Sequence, residues 1–176
     1  EDCRHGVQRP KIDEYADYLF FVFHAITGVQ GEYGTDLDFV ELDGFLGRQY
    51  LVTVHDDPLA TLQQLKARVE QNPGLLARGA DDLFYAALDM AVDLYFPILD
   101  GIDQRIDKVE HDLFARPSNK TLAEIFSIKK LIMKLRRFAW PQRDTLSLLV
   151  HHEHPAIDER TRYYIRDVVD HLIRIT

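Results

Sequence analysis

Two long runs of apolar residues at helical spacing, separated by only five residues, constrain this chain more than any other feature. Within residues 81–115, Tyr95, Leu99, Ile102, Ile106, Val109 and Leu113 recur at alternating steps of four and three. Within residues 121–150 the same rhythm passes through Ile125, Ile128, Ile132, Leu135, Ala139, Gln142, Leu146 and Leu149. Alternating steps of this kind form the seam of coiled-coil-like packing. The link Arg116-Pro-Ser-Asn-Lys120 is too short for anything but an antiparallel return. Charge agrees with that pairing. The first run carries Asp93, Asp100, Asp103, Asp107, Glu110 and Asp112, and the second Lys129, Lys130, Lys134, Arg136, Arg137 and Arg143. Exposed ion pairs are worth only ~0–1 kcal/mol each, so they orient the pair more than they stabilise it. Pro97 and Pro141 each remove a helical hydrogen bond and predict a kink. Thr121 with Glu124 predicts a capping box. Phe126, Met133 and Trp140 form a second stripe, which predicts partial burial of Trp140 and its neighbour Phe138.

Upstream of the helices the pattern changes. Residues 1–17 are polar and irregular. Residues 18–26, Tyr-Leu-Phe-Phe-Val-Phe-His-Ala-Ile, are apolar on both alternating faces and predict a central strand covered on both sides. His24 inside it reads as a packed, hydrogen-bonded histidine rather than a ligand. Gly28, Gly31 and Gly34 mark a loop, residues 36–43 a second strand, Gly44 to Gly47 a turn, and residues 49–55 a third strand. Short links favour antiparallel neighbours. Residues 59–71 then read as an amphipathic helix through Leu62, Leu65 and Val69, closed by Asn72-Pro-Gly. The predicted class is α+β: an antiparallel sheet packed with helices over residues 1–79, a long antiparallel helix pair over 80–155, and the start of a further helix over 156–176.

Composition narrows the function. With 176 residues, 46% hydrophobic and 28% charged, the chain is an ordinary globular protein. A net charge of −8 argues against nucleic acid or anionic lipid as the main partner and favours cations. The single cysteine, Cys3, excludes an internal disulfide and fits a reducing compartment. No signal peptide is visible. The longest apolar run, Leu19 to Ile26, falls far short of the ~20 residues that span a bilayer.

The final segment carries the chemistry. Ile165, Val168, Val169, Leu172 and Ile173 make an apolar stripe, and Asp167 and His171 stand four apart on one helical face. A carboxylate and an imidazole at that spacing can share a divalent cation. A solvated face is the competing reading. The segment has no Gly, Asn or Pro at its end, and the chain opens on Glu1 rather than Met, so both ends are expected to be cut edges of something longer. His151-His-Glu-His154 holds four potential ligands, but adjacent residues diverge on a helix and an exposed loop is the simpler reading.

Seven stretches in order resemble the cytosolic domain of CorA-type divalent metal ion transporters. They are Gln8-Arg-Pro-Lys11; Tyr18 to His24; Glu41-Leu-Asp-Gly-Phe-Leu-Gly47 running into Tyr50 to His55; Asp93-Leu-Tyr-Phe-Pro97; Leu113-Phe-Ala-Arg-Pro117; Leu135-Arg-Arg137 with Trp140-Pro141; and Arg166-Asp-Val-Val-Asp-His171. The resemblance covers essentially the whole chain. It implies that the helix pair corresponds to the family's "willow" helices, with a basic second member in this chain, and that residues 159–176 begin the "stalk". The family's two transmembrane helices with their Gly-Met-Asn signature are not in this sequence.

The resemblance also implies a regulatory Mg²⁺ site, with Co²⁺ or Zn²⁺ as further candidate ions. Carried over residue by residue, it comprises the acidic pair Glu1 and Asp2, the aspartate Asp89, and Asp167 with His171. Where some members have a histidine after the acidic pair this chain has Val7, with His5 nearby. The implied function is the cytoplasmic, Mg²⁺-sensing part of a homopentameric magnesium/cobalt channel of the cell inner membrane, not an enzyme. Hydrated Mg²⁺ between Asp2 of one subunit and Asp167 of the next would hold the ring closed. Rival readings are the zinc-transporting branch of the family and a helical interaction module without a metal role. A hydrolase built on His151, His152 and His154 lacks a convergent nucleophile or base.

Overall fold

The computed structural model describes residues 8–30, 36–56, 58–115 and 118–176. Four antiparallel strands lie in sequence order: β1 (Lys11–Glu14), β2 (Tyr18–Gln30), β3 (Asp36–Gly47) and β4 (Tyr50–Val54). Five α-helices follow: α1 (Ala60–Gln71), α2 (Ala80–Asp93), α3 (Tyr95–Ala115), α4 (Asn119–His151) and α5 (Glu159–Ile175), with a short 3₁₀ turn at Pro73–Arg78. No helix among the described residues is long and apolar enough to cross a membrane.

The two-sided apolar pattern of β2 has a direct cause. Phe21 and Phe23 meet Phe84 of α2, while His24 on the opposite face meets Phe138 of α4. Every residue from Leu19 to Ile26 is consequently buried. β2 and β3 are longer than their sequence patterns predict, while β4 falls within the predicted 49–55. β2 runs on through Gly28 after an irregularity between Ile26 and Gly28. β3 continues through Gly44, where a turn was expected. A Cβ on Gly44 would lie 2.2 Å from the tip of the Phe21 ring and 2.6 Å from the Val52 carbonyl oxygen. That glycine admits a packed ring inside a strand; it does not make a turn. β1, within the stretch read as irregular, is a four-residue edge strand of mostly charged residues, Lys-Ile-Asp-Glu. Charged side chains on a short edge protect it from further pairing, and they also hide it from a hydrophobicity reading.

The helical hairpin forms as its seams predict, with two corrections. Residues 81–115 are not one helix. The chain breaks at Leu94, because Pro97 cannot donate to the carbonyl of Asp93 and its ring clashes with that carbonyl. In the first turn of the new helix α3, where backbone N–H groups lack partners anyway, the same proline is harmless. α4 by contrast runs unbroken through Pro141. Its cap is Ser118, whose hydroxyl accepts from the Thr121 N–H at 3.2 Å. The predicted Thr121–Glu124 box therefore does not form, and Glu124 instead takes a 2.6 Å ion pair from Arg105 of α3.

The one polar residue in the α4 seam is fully used. Gln142, 3% exposed, accepts the backbone N–H of His24 through Oε1 and donates through Nε2 to the Tyr95 hydroxyl and the Phe138 carbonyl. β1 begins opposite Val22, so this amide supplies the acceptor His24 would otherwise lack beyond the reach of that strand. His24 is packed as predicted, yet its ring is not hydrogen-bonded: neither ring nitrogen has a hydrogen-bond partner, and Glu41 stands 3.7 Å from Nε2.

The second stripe on α4 faces outward. Phe126 and Met133 are exposed, and Trp140, 44% exposed, lies under the Arg136 guanidinium. Phe138 instead stacks on Phe39 at 3.9 Å. The histidine loop is not a ligand cluster. His154 is buried, its Nδ1 accepts from the Ala156 N–H, and its Nε2–H therefore donates to the Tyr15 carbonyl at 2.7 Å. It ties the α4–α5 turn to the β1–β2 turn. His151 and His152 are exposed, and His152 lies 3.6 Å from Glu14.

Candidate metal centre

α5 packs between α4 and α2, and its placement creates the cleft. The Asp158 carboxylate caps it, accepting from Thr161 N–H, and the backbone N–H of Asp158 donates to buried Asp81 at the start of α2. Thr161, Ile165, Val168, Val169, Leu172 and Ile175 form the buried stripe. Ile173, counted in that stripe from its apolarity, points outward, since the 3-4 phase runs through 165, 168, 172 and 175. On α2 the stripe Phe84, Ala87, Leu88 and Val92 is buried. Tyr85 of α2 and Tyr164 of α5 meet at 5.4 Å between ring centroids and hold the two helices together at one end.

Beyond this aromatic pair the facing surfaces are acidic. Tyr85, Asp89 and Asp93 project from α2, and Asp167, Asp170, His171 and Arg174 from α5, around an open cleft of about 480 Å³. Asp89, Asp93 and His171 each offer a ligand atom, and the three atoms lie within 4.8 Å of one another. Six-coordinate ligands at ~2.1 Å from one ion stand roughly 3–4.2 Å apart, so a small inward movement brings these three onto one ion.

The electrostatics favour a cation. Burial, then the charge of Asp93, raises the Asp89 pKa above its ordinary value, and Asp167 adds to the rise. Positive charge on His171 and a hydrogen bond from Tyr85 act in the opposite sense. Tyr85 is itself pushed up, by burial and then by Asp89, Asp167 and Asp93. A carboxylate penalised in this way by desolvation and like charge is relieved by a bound cation. Nδ1 of His171 is buried without a hydrogen-bond partner. The ring stands edge-on to Phe96, 5.4 Å between centroids, which fixes its plane.

Three of the five residues singled out in the sequence thus come together: Asp89, Asp167 and His171. Glu1 and Asp2 lie outside the described residues. Asp93, Asp170 and Tyr85 were not singled out as site residues. A signal existed for Asp93: Asp89 and Asp93 are four apart on α2, as Asp167 and His171 are on α5, so each helix presents a one-turn ligand pair.

The model of the family described as "CorA-like Mg2+ transporter protein" matches residues 1–176. The chain belongs to this family. Among CorA relatives, the cobalt/magnesium transport protein CorA of Thermotoga maritima is 31% identical over 176 residues, covering 99% of this chain and 50% of that protein. This chain therefore spans about half the length of that relative. The soluble domain of CorA from Methanocaldococcus jannaschii superposes with a TM-score of 0.80 at 19% identity, covering 96% of this chain and 66% of that one. The ZntB cytoplasmic domain of Vibrio parahaemolyticus superposes with a TM-score of 0.79 at 14% identity, covering 99% and 67%. At these identities the two structures establish the fold shared by the CorA family and ZntB.

Proposed function

We propose that this chain is the cytosolic Mg²⁺-sensing domain of a CorA-like magnesium/cobalt channel, with a regulatory rather than an enzymatic role. The observation that carries the reading is the convergence of Asp89, Asp93, Asp167 and His171 from two helices onto one cleft. Empty, the carboxylates repel across the α2–α5 gap. A bound divalent cation offsets that repulsion and draws the helices together. Asp89 and Asp93 would hold the ion from α2, and His171 and Asp167 from α5. The ion favours whichever state binds it, so loss of internal Mg²⁺ loosens the arrangement and frees α5 to move. In the homopentamer that membership of the family points to, Glu1 and Asp2 of a neighbouring subunit would approach Asp167 and complete the bridge.

Mg²⁺ titrations read by calorimetry and thermal shift test this on the wild type, Asp89→Asn, Asp167→Asn and His151→Ala. Mg²⁺ raises the melting temperature of the wild type and of His151→Ala. Either asparagine variant loses most of the response, because each removed carboxylate costs on the order of 1–3 kcal/mol of ion binding. A full response in Asp89→Asn or Asp167→Asn rejects the site. No response in the wild type leaves the helical interaction module as the better account.

A zinc-handling domain is the second reading, and the imidazole in the donor set favours it. Nitrogen ligands suit Zn²⁺ and Co²⁺, whereas Mg²⁺ prefers oxygen. His171→Ala separates the two. It weakens Zn²⁺ by tenfold or more if the ring ligates directly, and leaves Mg²⁺ nearly unchanged if the carboxylates do the holding.

A further inference from the structure

We propose that Arg174 is a tethered counter-ion of the acidic cleft, which sets the concentration at which a divalent cation enters. This rests on the cleft being a cation site. Among the described residues, Arg174 is the one basic residue besides His171 lining it, alongside Asp89, Asp93, Asp167 and Asp170. It stands one turn beyond Asp170 and three residues beyond His171, in the last turn of α5. Its guanidinium lies over the Phe96 ring, 5.4 Å from the centroid. The same ring meets His171 edge-on, so Phe96 seats both the imidazole and the guanidinium. That seat keeps a permanent positive charge at the rim of the cleft.

The consequence follows from charge. An arginine cannot be deprotonated in a protein, so its charge is a constant deduction from the attraction the carboxylates exert. It repels an entering ion in proportion to that ion's charge. Hence it lowers affinity for a divalent cation without occupying the ion's place. For an assumed separation of about 8 Å in a water-like medium, one unit charge acting on a divalent ion changes affinity about sixfold. The same charge limits the mutual repulsion of the carboxylates when no divalent ion is bound, so the cleft survives empty. Arg174 therefore moves the working range of the cleft towards higher ion concentration.

The experiment is calorimetric titration of the wild type, Arg174→Gln and Arg174→Lys with magnesium chloride at low and at high potassium chloride. Arg174→Gln is expected to bind Mg²⁺ three- to sixfold more tightly at low salt, with the gap closing at high salt as screening grows. Arg174→Lys, which keeps the charge but loses the planar seat on Phe96, stays within twofold of the wild type. If Arg174→Gln binds no more tightly than the wild type while the wild type binds, the cleft stands as a cation site and the role of Arg174 is overturned. If Arg174→Lys behaves as Arg174→Gln does, charge is not the cause and the proposal again falls. If neither the wild type nor Arg174→Gln binds Mg²⁺, the cation site itself is rejected, and with it the counter-ion.

Discussion

Acidification should destabilise this protein through His24. The ring is 2% exposed on β2, and burial lowers its pKa from 6.5 to about 4. The unfolded chain takes up a proton near pH 6.5, whereas the folded chain resists until about pH 4. The neutral ring's contribution is therefore intact above pH 6.5, declines as pH falls, and is fully lost below about pH 4. A difference of this size is worth about 3 kcal/mol in all, of which about 2 kcal/mol is gone by pH 5. Glu41, 3.7 Å away, acts in the opposite sense. Burial raises its pKa, so it takes up its proton more readily in the folded state and offsets part of the loss. Other carboxylates add their own slopes, so the comparison must be with His24→Leu, which preserves volume and removes the titration. Urea denaturation at intervals between pH 7.5 and 4.5 gives the measurement. The wild type should lose about 2 kcal/mol more than His24→Leu between pH 7 and pH 5. Parallel stability curves for the two proteins would refute the reasoning, since they would show the ring to be solvated or ion-paired in the folded state.

Gln142→Leu should cost about 2–4 kcal/mol in urea denaturation, because it strands the His24 N–H and the Tyr95 hydroxyl in the core. A cost under about 0.5 kcal/mol would mean that water replaces the amide. Gly44→Ala should lower the melting temperature sharply, since its Cβ collides with Phe21 and the Val52 carbonyl; an unchanged melting temperature would mean that β3 is not in register there. His154→Ala should cost about 1–3 kcal/mol while leaving any Mg²⁺ response intact. His151→Ala, at an exposed position, should be neutral within about 0.5 kcal/mol, and both are read by thermal melts with and without Mg²⁺.

The helical half was legible because its periods are long and regular: α3, α4 and α5 match their seams, and the only large error, the break at Leu94, sits where Pro97 was flagged as a kink. The sheet was legible in its apolar centre and obscure at its edges. β1 is too polar and too short to show a period. Gly44 reads as a turn residue because its real role, room for Phe21, depends on a partner in another strand. The cleft was half legible. Asp167 and His171 share a helix, so spacing alone links them, whereas their union with Asp89 rested on resemblance. Asp93 was open to the same four-residue spacing argument, whereas the relevance of Arg174 exists only once α2 and α5 lie side by side. His154 read as part of an exposed loop, yet it is buried, because its partners are a carbonyl and an N–H, which no side-chain pattern records.

The break at Leu94 has a mechanical meaning. Asp93 on one side belongs to the cleft, and Tyr95 on the other is fully buried against Gln142. The joint is thus flanked by a charge in the cleft and a buried pivot. α3 departs from it for 21 residues, an arm of about 32 Å. An arm of that length moves its tip about 0.5 Å for each degree of rotation at the joint. A shift of a few degrees, of the order that closing a cleft by an ångström demands of the adjoining helix, displaces the exposed Phe114 near the far end by ångströms. On this geometry a rotation at the joint would be magnified at the tip of the hairpin.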